Sequence, residues 1–236
     1  MSFDLDFFAR AARAVLPGIP LTLLVVAFSL AVALPLGFLT AVARVKRVRA
    51  LSPALAFLVS LMRGTPMIVQ IYVIYNALPL MLSAFFRKAG IGVNVFDVDP
   101  LLYALFLFSL NTTATLSEVF RSALSTVGAG QMEAALTCGL SEAQAYVRIV
   151  VPQMMRAASA PLCNAAVELL KNSSLVFYMG VRDLMGIIKT EAGIGYNYFE
   201  GYALALVIYL ILCFGVQGIF RLVERRAKRG RAAQAA

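Results

Sequence analysis

Long apolar runs alternate with short charged stretches along this chain. Ala14 to Ala43 holds thirty consecutive residues without a charge, more than the ~20 that a helix needs to cross hydrocarbon. Pro17 and Pro20 mark its start, and Pro35 predicts a kink within it. A second apolar run begins near Pro53 and ends near Leu82, interrupted by "LMRGTPMIVQIY" with Arg63, Gly64 and Pro66. The third, Leu101 to about Phe120, turns polar in its second half, "NTTATLSE". The fourth, about Ala157 to Met179, carries Asn164, Glu168, Lys171, Asn172, Ser173 and Ser174, too polar a centre for a helix facing lipid. The last, Gly201 to Phe220, is charge-free for twenty residues, about 30 Å of helix at 1.5 Å per residue.

The segments between these runs set the expected orientation. "RVKRVRA" after the first run holds Arg44, Lys46, Arg47 and Arg49. Of the 21 lysines and arginines, four lie there, three between Arg121 and Arg156, and six after Phe220. Basic residues cluster at cytoplasmic ends of spans. The pattern therefore predicts an all-α integral membrane protein with five transmembrane helices, N-terminus outside and C-terminus cytoplasmic. Residues 1–236 form one transmembrane domain, with a cytoplasmic helix-turn-helix loop at 121–156 between helices 3 and 4 and a basic cytoplasmic tail at 221–236. Ser83 to Pro100 and Gly180 to Glu200 become outer segments.

Composition narrows the function classes. The chain is 61% hydrophobic and 14% charged, outside the range of ordinary soluble domains. Its net charge of +9 flanks apolar runs instead of forming a soluble basic face, which argues against nucleic acid. Histidine is absent, so His metal sites and Ser-His-Asp triads are excluded. Cys138, Cys163 and Cys213 are too widely spaced for a disulfide framework or a zinc site. The opening "MSFDLDFF" lacks the positive region of a secretory signal, so no cleaved signal is expected. No G-x-x-x-x-G-K-[ST] phosphate loop occurs, so ATP hydrolysis is not expected of this chain.

The loop "QMEAALTCGLSEAQAYVRIVVP", Gln131 to Pro152, reads as helix, glycine turn, helix. Good helix formers run from Gln131 to Cys138. Gly139 suits the left-handed position after a helix end. Ser141 with Gln144 forms a capping-box pattern, and the second helix is expected to end near Val150, before Pro152. Physically the loop fits either an amphipathic surface element or a helix that docks into a soluble partner.

These residues resemble the EAA motif of ABC-importer permeases: Glu133, Ala134, Ala135, Gly139, Ile149 and Pro152 fit its spacing, with Val151 in place of leucine. "RGTPMIVQIY" at Arg63 to Tyr72, "VGAGQMEAA" before the loop and "LLKNSSLVF" at Leu169 to Phe177 resemble the polar amino-acid permease subfamily. In the third run Glu118 and Arg121 are kept, but the tyrosine and glycine common in that subfamily are missing. The resemblance covers about residues 15 to 222. It implies a multi-pass subunit of a bacterial inner membrane that moves a polar amino acid inward. The implied partners are a second permease subunit, identical or related, a cytoplasmic ABC ATPase that binds the ATP, and an extracytoplasmic substrate-binding protein. Gln131, Glu133, Ala134, Ala135 and Gly139 are the implied ATPase-docking residues. No catalytic residue, cofactor or metal is expected in the chain itself.

Charged and amide side chains within the apolar runs are candidates for the substrate path, because each is costly in lipid unless it meets protein or water. They are Arg63, Gln70, Asn111, Glu118, Asn164, Glu168, Lys171 and Asn172. Two structural alternatives stand beside that role. Glu168 and Lys171, three apart, are spaced to pair with each other, as are Glu118 and Arg121. A self-contained secondary transporter or channel using Glu118, Glu168 and Lys171 is the rival function, and it leaves the EAA spacing unexplained.

Overall fold

The computed structural model describes residues 3–91 and 94–232, with side chains up to residue 225. Among these residues all regular structure is helical. In chain order the helices are α1 (Leu5–Ala14), α2 (Gly18–Val45), α3 (Leu51–Gly64), α4 (Met67–Lys88), α5 (Pro100–Ser125), α6 (Ala129–Thr137), α7 (Glu142–Ala145), α8 (Val151–Asn172), α9 (Leu184–Gly195) and α10 (Tyr198–Ala232). A π turn at Tyr146–Val150 joins α7 to α8, and a 3-10 stretch at Ser173–Met179 extends α8. Most of the tail expected at 221–236 lies beyond the described side chains.

Among the described residues, four helices are long and apolar enough to cross a membrane: α2, α4, α5 and the Tyr198–Arg225 part of α10. Two of the five expected spans come out differently. The run from Pro53 to Leu82 is two helices, broken at Thr65–Pro66. Proline has no N–H to continue a helix and forces the preceding residue out of the helical region. Thr65 is accordingly extended at φ −119°, ψ 142°. The other is α8, which spans 22 residues but is not among the four because of its polar side chains.

The core is built on α2 and α5, the most extensive helix pair. Ala33, Gly37 and Ala41 recur every four residues on α2 and are buried. Such small-residue spacing lets two backbones approach closely. At Gly37 the approach is limiting: a Cβ there would lie 2.9 Å from Leu116 Cβ. Phe38 and Phe120 meet edge to face below this crossing, centroids 5.8 Å apart. α8 closes the same core with Met154, Ala158 and Leu162. By contrast α4 and α10 leave Leu80, Met81, Phe85, Leu206, Ile211 and Phe214 exposed. Apolar surface of that extent is covered by lipid or by another chain.

The sequence reading placed no helix before residue 14, yet α1 is well formed. Asp4 caps it by accepting from Phe7 N–H at 2.8 Å. Phe7, Ala11 and Val15, at helical spacing, pack on Leu184, Ile188 and Leu204. Asp4 N–H also donates to Glu200 Oε1 at 3.1 Å. The start of the chain is thus tied to the α9–α10 corner.

Candidate functional site: an exposed helix-turn-helix and a polar wall

Gly139 ends α6 at φ +83°, a left-handed turn that a side-chain-bearing residue enters only with strain. Ser141 then caps α7 through a reciprocal capping box with Gln144. The expected stop before Pro152 does not occur. The chain winds through the π turn straight into α8, with Pro152 in the first turn of α8. A π turn is wider by one residue than an α turn. It gives room to the proline ring, which would otherwise press on the carbonyl four residues earlier. The polar connection is also shorter than 121–156: α5 persists to Ser125, and α8 starts at Val151.

Gln131, Glu133, Ala134 and Gly139 are exposed, whereas Ala135 is only 3% exposed and faces this chain's own interior. Met132 and Ala135, three apart, seat α6, and the opposite face is left open. A second contact holds the element in place. Lys46, just after α2, forms a 2.6 Å ion pair with Glu142 and lies 4.9 Å from the Tyr146 ring centroid. The Glu142 hydrogen bond holds the Lys46 ammonium above its ordinary pKa.

The candidate path residues separate into three groups. Glu118 is the centre of the first. Its Oε1 accepts from Arg44 Nη1 at 2.5 Å, and its Oε2 accepts from Arg121 Nε and Nη2 at 2.9 and 2.8 Å. Arg63 Nη1 approaches Oε2 at 4.0 Å. The Glu118–Arg121 pair was expected from spacing. Arg44 was not, because it lies 74 positions away.

Gln70 and Asn111 form the second group, at the broken helix. Gln70 is 7% exposed, and its Nε2 donates to the Met62 carbonyl at 2.7 Å and the Thr65 carbonyl at 3.0 Å. These carbonyls lose their helical partners at Pro66. Asn111 Nδ2 completes the network by donating to Gln70 Oε1 at 2.9 Å. Asn111, Glu168 and Asn172 then line a cavity of about 20 Å³ with Thr112 and Thr115. That is room for a single water, far less than an amino acid requires.

The third group is a stripe on α8. Asn164, Glu168 and Lys171, at spacings of four and three, are all exposed, which puts them on one helix face. Glu168 and Lys171 form no ion pair with each other, so that alternative does not describe the fold. Asn164 opens into a groove of about 700 Å³ between α8 and α10, shared with Arg156, Ser159 and Gln217. Sequence reasoning missed one polar cluster near the far end of α8. Lys189 Nζ sits 4.7 Å from the Phe177 ring centroid and 4.9 Å from that of Tyr178, and Tyr72 meets Tyr178 edge to face. The aromatic content of Gly180 to Glu200 was visible, but not which cation it would meet.

Residues 33–229 match a family described as binding-protein-dependent transport system inner membrane component. The octopine transport system permease protein OccM of Rhizobium radiobacter is 35% identical over 224 residues, covering 95% of this chain and 90% of that protein. The L-cystine transport system permease protein TcyL of Bacillus subtilis (strain 168) is 28% identical over 228 residues, covering 97% and 93%. Among solved structures, an amino acid ABC transporter crystallised with histidines superposes with a TM-score of 0.79 at 23% identity, over 96% of this chain and 100% of that one.

Proposed function

Since the chain belongs to the family of binding-protein-dependent transport system inner membrane components, and is a permease subunit of an ATP-driven importer, we propose that its cargo is a polar amino acid or a close derivative. Octopine and cystine are the cargoes in the names of the relatives OccM and TcyL. We infer five traversals, counting α3 with α4 as one and α8 as another, with the N-terminus outside and the C-terminus cytoplasmic.

The carrying observation is the uncovered polar stripe Asn164, Glu168 and Lys171 on α8. Ionisable side chains at bilayer depth need protein or water beside them. The cavity beside Glu168 and Asn172 holds about one water, and the larger groove that Asn164 lines includes neither Glu168 nor Lys171, so this chain supplies one wall of the path. A second permease subunit facing α8 would close the path, so cargo passes between two subunits and not through one. Glu168 and Lys171 would then meet the ammonium and carboxylate of the cargo, with Asn111, Asn164 and Asn172 offering neutral hydrogen bonds.

In this reading Gln131, Glu133, Ala134 and Gly139 form the face that a cytoplasmic ABC ATPase grips, and Ala135 lets α6 sit close to its own chain. ATP is bound by that partner, and an extracytoplasmic binding protein delivers the cargo. Arg63, Gln70 and Glu118 have structural duties in this arrangement: Glu118 joins α2 to α5, and Gln70 caps the broken helix. The deciding measurement is uptake of radiolabelled amino acids into vesicles holding the reconstituted complex. Uptake that persists without ATPase and ATP would restore the secondary-transporter rival.

A further inference from the structure

Beside the C-terminal end of α2, the turn into α3 and the end of α5 border a wide-open cavity of about 440 Å³. Arg44, Arg47, Arg49 and Arg121 all line it. Arg44 and Arg121 share one carboxylate, Glu118. Arg47 and Arg49 have no acidic partner among the described residues. Four guanidinium groups around one cavity with one carboxylate leave a surplus of positive charge that attracts an anion. The turn is also shaped unusually. Arg47 and Ala50 adopt left-handed backbone at φ +50° and +65° without being glycine, a strain that clusters at ligand sites. Helix α3 starts here with no side-chain cap, but its first two N–H groups already donate to the Arg49 and Val48 carbonyls and its third residue is Pro53, so the arginines alone carry the positive field.

The surroundings identify the anion's source. Val45, Val48, Leu51 and Phe57 are exposed on the same turn and the first turns of α3. Pro53 and Ala56, on the first turns of α3, add an apolar side to the cavity. An ion from bulk water would have no use for the apolar rim. A phosphate attached to acyl chains would use both parts.

We propose that this cavity binds the phosphate headgroup of an anionic phospholipid, with Arg47 and Arg49 as its free ligands and the acyl chains laid along α3. The site rests on the orientation given above, which puts the turn at the cytoplasmic headgroup level. It lies one residue from Lys46, which clamps α7 through Glu142. Lipid binding would therefore set the position of the turn that holds the helix-turn-helix.

The test uses the full chain within its transporter complex, reconstituted into mixed vesicles of phosphatidylglycerol and phosphatidylcholine and re-extracted in mild detergent. Bound lipid is counted by native mass spectrometry. Phosphatidylglycerol is expected to be retained in preference to phosphatidylcholine. Arg47→Gln with Arg49→Gln should lower that retention about 20- to 30-fold, about fivefold for each arginine. Arg47→Lys with Arg49→Lys keeps the charge and should retain the lipid, so a misfolded glutamine pair does not end the test. Equal retention of both lipids, or retention unchanged in the glutamine pair, overturns the site. Displacement of the lipid by inorganic phosphate alone would mark a free-anion site and overturns the lipid assignment. Loss of the lipid whenever the ATPase is bound would mark a protein interface and overturns it equally. Orientation is read separately, from thiol labelling of Arg49→Cys in a chain with Cys138, Cys163 and Cys213 replaced by serine. Labelling from outside sinks the orientation, while lipid retention still stands or falls alone.

Discussion

Arg44 and Glu118 meet at 2.5 Å across the α2–α5 crossing, and both side chains are less than one-fifth exposed. Glu118 also neutralises Arg121, so one carboxylate serves two near guanidinium groups. Glu118→Gln should lower stability by about 1–3 kcal/mol, between the value of an exposed ion pair and that of a broken buried one. Thermal melting of the purified protein measures this, and a double-mutant cycle with Arg44→Gln isolates the pair. A coupling energy near zero would reduce the contact to a surface ion pair.

Gly139 offers a separate handle on assembly. Nothing crowds a Cβ there, but φ is +83°, so any cost of Gly139→Val is backbone strain of about 1–3 kcal/mol. The expected outcome is normal membrane insertion with weakened co-purification of the ATPase. ATPase recovered at the wild-type level would count against α6 as the docking element.

Asp183 predicts a pH dependence. It caps α9 by accepting from Gly186 N–H at 2.9 Å, while its other carboxylate oxygen is buried without a partner. It is 1% exposed, and burial pushes its pKa up to about 6 against the backbone hydrogen bonds that lower it. Between the unfolded value near 4 and the folded value near 6, the folded chain holds more protons than the unfolded one. Its contribution is therefore most favourable below about pH 4, is lost progressively as pH rises, and levels off above about pH 6. Asp183→Asn keeps an acceptor for the cap and carries no charge. It should raise the melting temperature at pH 8 and change it little at pH 4. An equal shift at both pH values would show that charge burial is not the cause.

Glu168 tests the transport path. Glu168→Ala removes a carboxylate that forms no ion pair among the described residues, so folding should be nearly unaffected. Uptake in reconstituted vesicles should fall, with yield and ATPase binding unchanged. Wild-type uptake would make Glu168 a bystander.

Much of this was readable in the residues. The helix-turn-helix followed from Gly139 and the Ser141–Gln144 spacing, because caps are local chemistry. The Glu118–Arg121 pair followed from helical periodicity. Contacts between distant segments were not readable: Arg44 with Glu118, Lys46 with Glu142, and Lys189 with Phe177 depend on how helices cross. Pro152 misled in an instructive way. Proline usually ends a helix, but one extra residue in the turn before it let the helix continue. The helix α1 was overlooked because two aspartates and two arginines hide the Phe7, Ala11, Val15 spacing.

The π turn at Tyr146–Val150 makes α7 and α8 one unbroken rod. One proline, Pro161, lies inside α8 between the surface element and the stripe at Asn164, Glu168 and Lys171, and it removes one hydrogen bond from the rod. A displacement applied to α7 therefore travels along one continuous helix, as motion of a lever that can bend at Pro161, and not as a signal relayed through loops. At 1.5 Å per residue, the arm from Tyr146 to Lys171 is about 38 Å long, so a tilt of a few degrees at one end sweeps the other through about 2 Å. In the proposed orientation the stroke is carried by a crank with one built-in joint, at Pro161.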